Sequence, residues 1–102
     1  MKKEQVLARL KNLEQGEKVV DAIIAGGINF IEITMTMDEG NPVEFIKMMA
    51  EKYKDNDKVV IGAGTVLDPE TARQVILAGA NYVVSPSLNV ETIKLCNRYR
   101  VP

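Results

Sequence analysis

The sequence predicts an α/β protein built from parallel βα units, with about three strands in 102 residues. From residue 12 onward, short apolar segments rich in β-branched residues alternate with amphipathic segments of helical length. The composition, 46% hydrophobic and 26% charged, is that of one folded domain. Strands that alternate with helices are joined by crossovers, so we expect one parallel sheet.

Local signals place the elements along the chain. We interpret residues 1–11 as an N-terminal helix and residues 12–102 as a partial barrel, within a single domain. No strand is expected between that first helix and the next one. The predicted strands are 29–36, 58–65 and 81–86, and the helices that follow them are expected to be capped by Asn41, Asp68 and Asn89.

A weak internal sequence repeat supports a repeated βα architecture. Residues 24–31 (IAGGINFI) are similar to residues 76–83 (ILAGANYV), at an offset of 52 positions. Such an offset corresponds to two βα units of about 26 residues each. It is typical of a (β/α)8 barrel or of another repeated βα fold.

The composition excludes several classes of function. The chain has no histidine, which excludes a Ser-His-Asp triad, a Cys-His pair and most catalytic zinc sites. Its single cysteine, Cys96, excludes an internal disulfide and favours a reducing compartment, and we expect it in the core. A net charge of −1 gives no electrostatic case for binding nucleic acid, and no apolar run is long enough for a membrane span.

Glu32 is the most informative residue, because it interrupts an apolar strand. Alternation along the strand places Phe30, Glu32 and Thr34 on one face and Ile31 and Ile33 on the other. A parallel strand covered by helices is apolar on its helix side, so Glu32 and Thr34 should face a barrel interior or a cleft. A functional carboxylate and a structural one, hydrogen-bonded to its neighbours, are both consistent with this position.

Two strand ends carry candidate ligand-binding groups. The glycines of Gly62–Thr65 allow close approach of backbone or ligand, and Thr65 presents a hydroxyl where α/β folds bind ligands. A packing requirement explains these glycines equally well. The segment Ser85–Ser87 ends the third predicted strand, and a simple turn is the favoured interpretation there.

Four segments, taken in order, resemble the 2-keto-3-deoxy-6-phosphogluconate / 4-hydroxy-2-oxoglutarate (KDPG/KHG) aldolase family. They are EITMT at 32–36, GAGTVL at 62–67, VSPSL at 84–88 and LCNRY at 95–99. The resemblance implies a class I aldolase on a (β/α)8 TIM barrel, commonly a cytoplasmic homotrimer, that uses no metal or cofactor. Such an enzyme cleaves a keto acid to pyruvate and an aldehyde through a Schiff base on a lysine.

The resemblance also assigns roles to individual residues. Glu32 matches the glutamate that moves protons, Thr65 matches a threonine near the pyruvate carboxylate, and Pro86 matches a proline that lines the pocket. Thr34, on the face of Glu32, is a further substrate-binding candidate. Two departures from the family pattern are expected: the first strand is absent, and the position of the Schiff-base lysine lies beyond Pro102.

Three hypotheses about function follow. The chain is part of an aldolase that acts on a keto acid or pyruvate, or it is an engineered or truncated half-barrel that self-associates without activity, or it is a module that binds a small ligand. We expect a homo-oligomer in the first two cases. It would be a trimer for a full-length enzyme and a dimer or another assembly for a half-barrel.

Overall fold

The structure, a computed structural model, describes residues 5–8, 13–36 and 40–102. These residues form alternating strands and helices, each strand being followed by a helix. The strands are β1 (Gln5–Ala8), β2 (Phe30–Thr34), β3 (Val60–Gly64) and β4 (Tyr82–Val83), and the helices are α1 (Leu13–Ala25), α2 (Pro42–Lys52), α3 (Pro69–Ala78) and α4 (Val90–Arg98). The described chain thus has one strand more than the sequence predicted.

The N-terminal strand β1 corrects the prediction of a helix over residues 1–11. Gln5–Ala8 is a strand, and the rest of the predicted helix lies outside the described residues. β1 pairs in parallel with β2, with Leu7 opposite Glu32 in the register. The expectation that the first strand is absent is therefore wrong. The apolar spacing in this short segment also fits a helix, and only the long-range pairing with β2 decides between them.

The four strands form one parallel sheet in the order β1-β2-β3-β4. Each neighbouring pair is joined through one helix, and right-handed crossovers place those helices on the same side of the sheet. The predicted α/β class with a parallel βα repeat is confirmed. We call the opposite side, which carries Phe30, Glu32 and Thr34, the site face.

The hydrophobic core lies between the helices and their side of the sheet. Ile31 and Ile33 of β2 are 0% and 1% exposed there, as the strand alternation predicts. The other buried members of this core are Val20, Phe45, Ile46, Met49, Ile61, Ala63, Val66, Ala72, Val75, Ala80 and Cys96. Of the helices in the described chain, none is both long and apolar enough for a membrane crossing.

The predicted helix caps are confirmed. The side chain of Asn41 accepts hydrogen bonds from the backbone N–H groups of the first turn of α2, as Asp68 does for α3 and Asn89 for α4. These side chains satisfy amide groups that have no partner inside the helix. Gly79 follows α3 with a φ of 115°, a left-handed conformation that favours glycine.

The last strand is shorter than predicted, since β4 is Tyr82–Val83 rather than residues 81–86. Backbone contacts nevertheless continue on both sides of it. The N–H of Val84 donates to the Ala63 carbonyl at 2.8 Å, and the N–H of Val83 donates to the Pro102 carbonyl at 2.9 Å. The second bond places Pro102 beside β4, where a neighbouring strand would lie, although residues 101–102 are not assigned as a strand.

Candidate active site on the site face

Glu32 lies in the middle of β2 and projects from the site face, as predicted. Its register partner on β3 is Gly62, while Ile31 and Ile33 on either side of it are buried against the helices. The side chain is half-buried. A carboxylate in this position is partly shielded from water but can still be reached by a small molecule, which is what a proton-transfer group requires.

Gly64 makes room for the Glu32 side chain. A Cβ atom added to Gly64 would clash with the carboxylate of Glu32, and it would stand 3.0 Å from the Glu32 Cγ. The carboxylate therefore lies over Gly64, the last residue of β3. The sequence predicted close approach by a backbone or a ligand at this glycine. The group that approaches is instead a side chain of the neighbouring strand.

Gly62 makes room for an aromatic pair that sequence reasoning missed. The ring of Tyr82 lies over Gly62, where any Cβ atom would collide with it. This ring stacks on Phe30 with a centroid distance of 4.8 Å and an interplanar angle of 19°. The Tyr82 hydroxyl donates to the carbonyl of Ile31 at 3.1 Å. The pair forms an apolar floor beside Glu32. Its only signal in the sequence was a glycine in one predicted strand and a tyrosine in the next, Gly62 and Tyr82.

Thr34 and Thr65 come together at the carboxyl ends of β2 and β3. The Thr34 hydroxyl donates to the Thr65 hydroxyl at 3.3 Å and also contacts the Thr36 hydroxyl at 2.9 Å. Thr34 is only 5% exposed. Thr65 has a φ of 56°, a left-handed conformation that is uncommon for a branched residue and recurs at ligand sites.

Pro86 is the predicted site residue that follows β4. It is exposed in the loop between β4 and α4, flanked by a Ser85 hydroxyl that donates to the Ser87 carbonyl at 2.9 Å. This is a serine-type turn, as the local pattern favoured. A hydrogen bond joins Thr34 and Thr65, and Glu32 lies over Gly64, the residue before Thr65. The role of Pro86 in lining a pocket stays a prediction.

The described lysines lie outside the site face. They are on helices or in turns, at positions 18, 47, 52, 54, 58 and 94. Lys52 pairs with Asp21 and, at 3.2 Å, with Glu17, and the bond to Asp21 raises the pKa of the ammonium group. The same bond, with a second one from Tyr53, lowers the pKa of the Asp21 carboxyl. Lys52 is thus held in its protonated, non-nucleophilic form between α1 and α2.

The structure also locates the single cysteine of the chain. Cys96 is 8% exposed in the core, and this burial raises the pKa of its thiol, so it is protonated at neutral pH. Its predicted core position is confirmed. Within the described ranges, no three His, Cys, Asp or Glu side chains are grouped so as to hold a metal ion.

One known protein family matches the whole of this chain. The model of the family described as "KDPG and KHG aldolase" matches residues 1–102. This chain belongs to that family. The KHG/KDPG aldolase of Escherichia coli K12 is 31% identical over 93 residues, which are 91% of this chain and 41% of that protein. The 2-dehydro-3-deoxy-phosphogluconate aldolase of Treponema pallidum is 36% identical over 93 residues, which are 91% and 42% of the two chains.

Solved structures of KDPG aldolases share the fold. The Legionella pneumophila enzyme, with pyruvate captured as a covalent carbinolamine, matches 96% of this chain and 45% of its own with a TM-score of 0.83 and 26% identity. The Zymomonas mobilis enzyme with 3-phosphoglycerate matches at a TM-score of 0.79 and 28% identity, over 95% and 44% of the two chains. The predicted partial (β/α)8 barrel is confirmed. The chain spans less than half the length of the relatives that it matches.

Proposed function

We propose that the site face performs the proton-transfer part of a class I aldolase reaction, with Glu32 as the proton-carrying group. The substrate would be 2-keto-3-deoxy-6-phosphogluconate or 4-hydroxy-2-oxoglutarate, which is cleaved to pyruvate and an aldehyde. The observation that carries the proposal is the position of the Glu32 carboxylate over Gly64, at the end of β3 where the hydroxyls of Thr34 and Thr65 also meet. The pyruvate adduct of the Legionella pneumophila relative supports the keto-acid class.

The residues around Glu32 suit a small keto acid. Thr65 supplies a neutral hydroxyl donor for a carboxylate, and Thr34 holds that hydroxyl by donating to its oxygen at 3.3 Å. The rings of Phe30 and Tyr82 supply an apolar surface beside Glu32. A carboxylate between these two regions can exchange protons with a bound intermediate or with water. Pro86 is proposed to complete the wall of the pocket.

Class I chemistry also needs an amine that attacks the keto carbon. The described lysines are on helices or in turns, and Lys52 is held as an ammonium ion by Asp21. We therefore propose that these 102 residues alone lack the nucleophilic lysine and bind a keto acid without forming a Schiff base. The complete reaction then requires a lysine that these residues do not supply.

Borohydride trapping tests the position of the nucleophile. The chain is incubated with pyruvate and sodium borohydride, and its mass is measured before and after. The Legionella pneumophila relative, which forms a covalent carbinolamine with pyruvate, is the positive control. We expect no mass increase on this chain. A pyruvyl adduct would show that one of its own lysines acts as the nucleophile.

Pyruvate titration followed by amide NMR tests the site itself. We expect shift changes at Glu32, Thr34 and Thr65, and none on the outer surface of α2 around Glu44. Acetate, which lacks the keto group, is the control ligand. A second polypeptide that carries the missing lysine is then added, and turnover of the keto acid is measured. If pyruvate binds but no turnover follows, the small-ligand module is favoured over the aldolase.

We further propose that the protein is a cytoplasmic homo-oligomer. The supporting finding is that a cage "designed by fusing symmetric oligomeric domains" contains a chain that matches 99% of this one, with a TM-score of 0.83 and 26% identity. A trimer is proposed for a full-length enzyme, and a dimer or another assembly for a half-barrel. Light scattering distinguishes these states from a monomer of 11.3 kDa.

A further inference from the structure

Glu32, Gly62 and Tyr82 lie in one row across the sheet. Gly62 on β3 is the register partner of Glu32 on β2 and also of Tyr82 on β4. Register partners on neighbouring strands are about 4.8 Å apart and project from the same face of the sheet. The two side chains therefore stand on either side of a glycine, and the space above that glycine can hold only one of them.

The ring of Tyr82 occupies this space. A Cβ atom on Gly62 would collide with the hydroxyl-bearing end of the ring. The side chain spans β3 completely, because its hydroxyl donates to the Ile31 carbonyl on β2 at 3.1 Å. Phe30 stacks on the same ring, which is 8% exposed. These two contacts hold the ring in place over the glycine.

Gly64 is the position of β3 that remains open to Glu32. By the alternation of a strand, β3 presents Val60, Gly62 and Gly64 on the site face. Val60 has a side chain of its own there, and the ring of Tyr82 covers Gly62. The Glu32 carboxylate lies over Gly64, with its Cγ 3.0 Å from where a Cβ atom of that glycine would be.

We infer that Tyr82 is a positioning residue for Glu32. Its ring excludes the carboxylate from the space over Gly62 and directs it over Gly64, toward the carboxyl end of the sheet. The inference rests on the proposed function, since Glu32 is the proton-carrying group proposed there. Ligands of barrels built from βα units bind at the carboxyl ends of the strands. The ring thus keeps the carboxylate at the end of the site face where a substrate would bind.

Nuclear Overhauser effects (NOEs) of the 102-residue chain, measured without ligand, report where Glu32 lies. In the original chain we expect strong NOEs from the Glu32 γ protons to the α protons of Gly64, and weak ones to those of Gly62. Tyr82→Leu keeps an apolar side chain but removes the end of the ring that covers Gly62. The carboxylate should then occupy both spaces, so the Gly64 NOE should fall to about half while the Gly62 NOE grows.

Two substitutions serve as controls. Tyr82→Phe keeps the ring and its stacking on Phe30, so it should retain the NOE pattern of the original chain. Tyr99→Leu makes the same change as Tyr82→Leu at a tyrosine that follows α4, with its hydroxyl bonded to Arg73. It should leave the NOEs of Glu32 unchanged.

Gly64→Ala tests the same exclusion with the ring in place, so the test does not depend on the folding of Tyr82→Leu. The new methyl group displaces Glu32 from its space. If the ring of Tyr82 excludes the carboxylate from Gly62, the Gly62 NOE should stay weak in this variant. A strong Gly62 NOE would show that the ring leaves room for Glu32, and it would overturn the inference.

The outcomes separate this inference from the proposed function. Unchanged Glu32 NOEs in Tyr82→Leu would overturn the inference and leave the proposed function standing. Failure of the original chain to bind pyruvate would contradict the proposed function, but the NOEs need no ligand and still decide whether Tyr82 positions Glu32. If Tyr82→Phe behaved like Tyr82→Leu, the hydroxyl and not the ring would hold Glu32 in place, which would also overturn the inference.

Discussion

The carboxylate of Glu32 occupies the space that a side chain on Gly64 would need. The two residues are on neighbouring strands, and the glycine lies two positions beyond the register partner of Glu32. The side chain therefore leans toward the carboxyl end of the sheet. This lean brings the carboxylate over Gly64, the residue before Thr65.

Substitution Gly64→Ala is expected to lower the free energy of unfolding by about 1 kcal/mol, because the new methyl group displaces the flexible end of Glu32. The cost should largely disappear in a Glu32→Ala background, where no carboxylate is displaced. Urea denaturation of the two single variants and the double variant measures this coupling. Equal costs in both backgrounds would show that Glu32 does not fill this space.

Gly62→Ala should be more damaging than Gly64→Ala. The new Cβ would meet the ring of Tyr82, which cannot swing aside because it stacks on Phe30 and its hydroxyl is bonded to the Ile31 carbonyl. We expect a loss of about 2–3 kcal/mol of stability, as for an overpacked core. Thermal and urea unfolding provide the measurement.

The matched control for this prediction is Gly26→Ala at the end of α1. A Cβ atom there would be 3.4 Å from the nearest heavy atom, the Ile23 carbonyl oxygen, which is ordinary contact. We expect a change within about 0.5 kcal/mol. If both alanine variants lose similar stability, the effect at Gly62 comes from the general cost of the substitution and not from Tyr82.

Thr92→Val should stabilise the protein. Thr92 is 4% exposed, and its hydroxyl oxygen is buried without a hydrogen-bond partner among the described residues. Valine has the same shape without the polar atom, so we expect a gain of about 1 kcal/mol in the free energy of unfolding. Thr92→Ser, which keeps the hydroxyl and removes the methyl group, should have the opposite effect. A loss of stability in the valine variant would mean that the hydroxyl has a partner after all.

Stability should fall in acid partly through Asp68. The backbone N–H of Thr71 donates to this carboxylate and lowers its pKa below the ordinary value of 3.8. A group with a depressed folded-state pKa stabilises the protein above its unfolded pKa, and this contribution is lost as the pH falls through the folded value. The loss from Asp68 is therefore expected below about pH 4.

Comparison with Asp68→Asn isolates this contribution, since asparagine can still cap α3 but does not titrate. Urea denaturation at several pH values between neutral and acid should show a smaller acid loss for the variant than for the original chain. The Asp21 carboxyl also has a lowered pKa, but it titrates in both proteins and cancels in the difference. Identical acid profiles would contradict the prediction.

Local sequence signals predicted most of the fold. Helices α2, α3 and α4 start at the predicted caps, because a capping side chain bonds to amides only two or three residues away. The face of β2 that carries Glu32 follows from the two-residue alternation of a strand. The interpretation of residues 1–11 as a helix failed because the Gln5–Ala8 strand depends on pairing with β2, some 25 positions away in the register.

The sequence by itself determined the parallel βα order, the orientation of Glu32 and the core position of Cys96, since each depends on periodicity or on composition along one segment. Only the tertiary structure decided that Gly64 accommodates Glu32, that Gly62 accommodates Tyr82, and that the Thr34 and Thr65 hydroxyls meet. These contacts depend on strand register, which is set by pairing between segments distant in the chain. A one-residue change of register would move every one of these side chains to the other face.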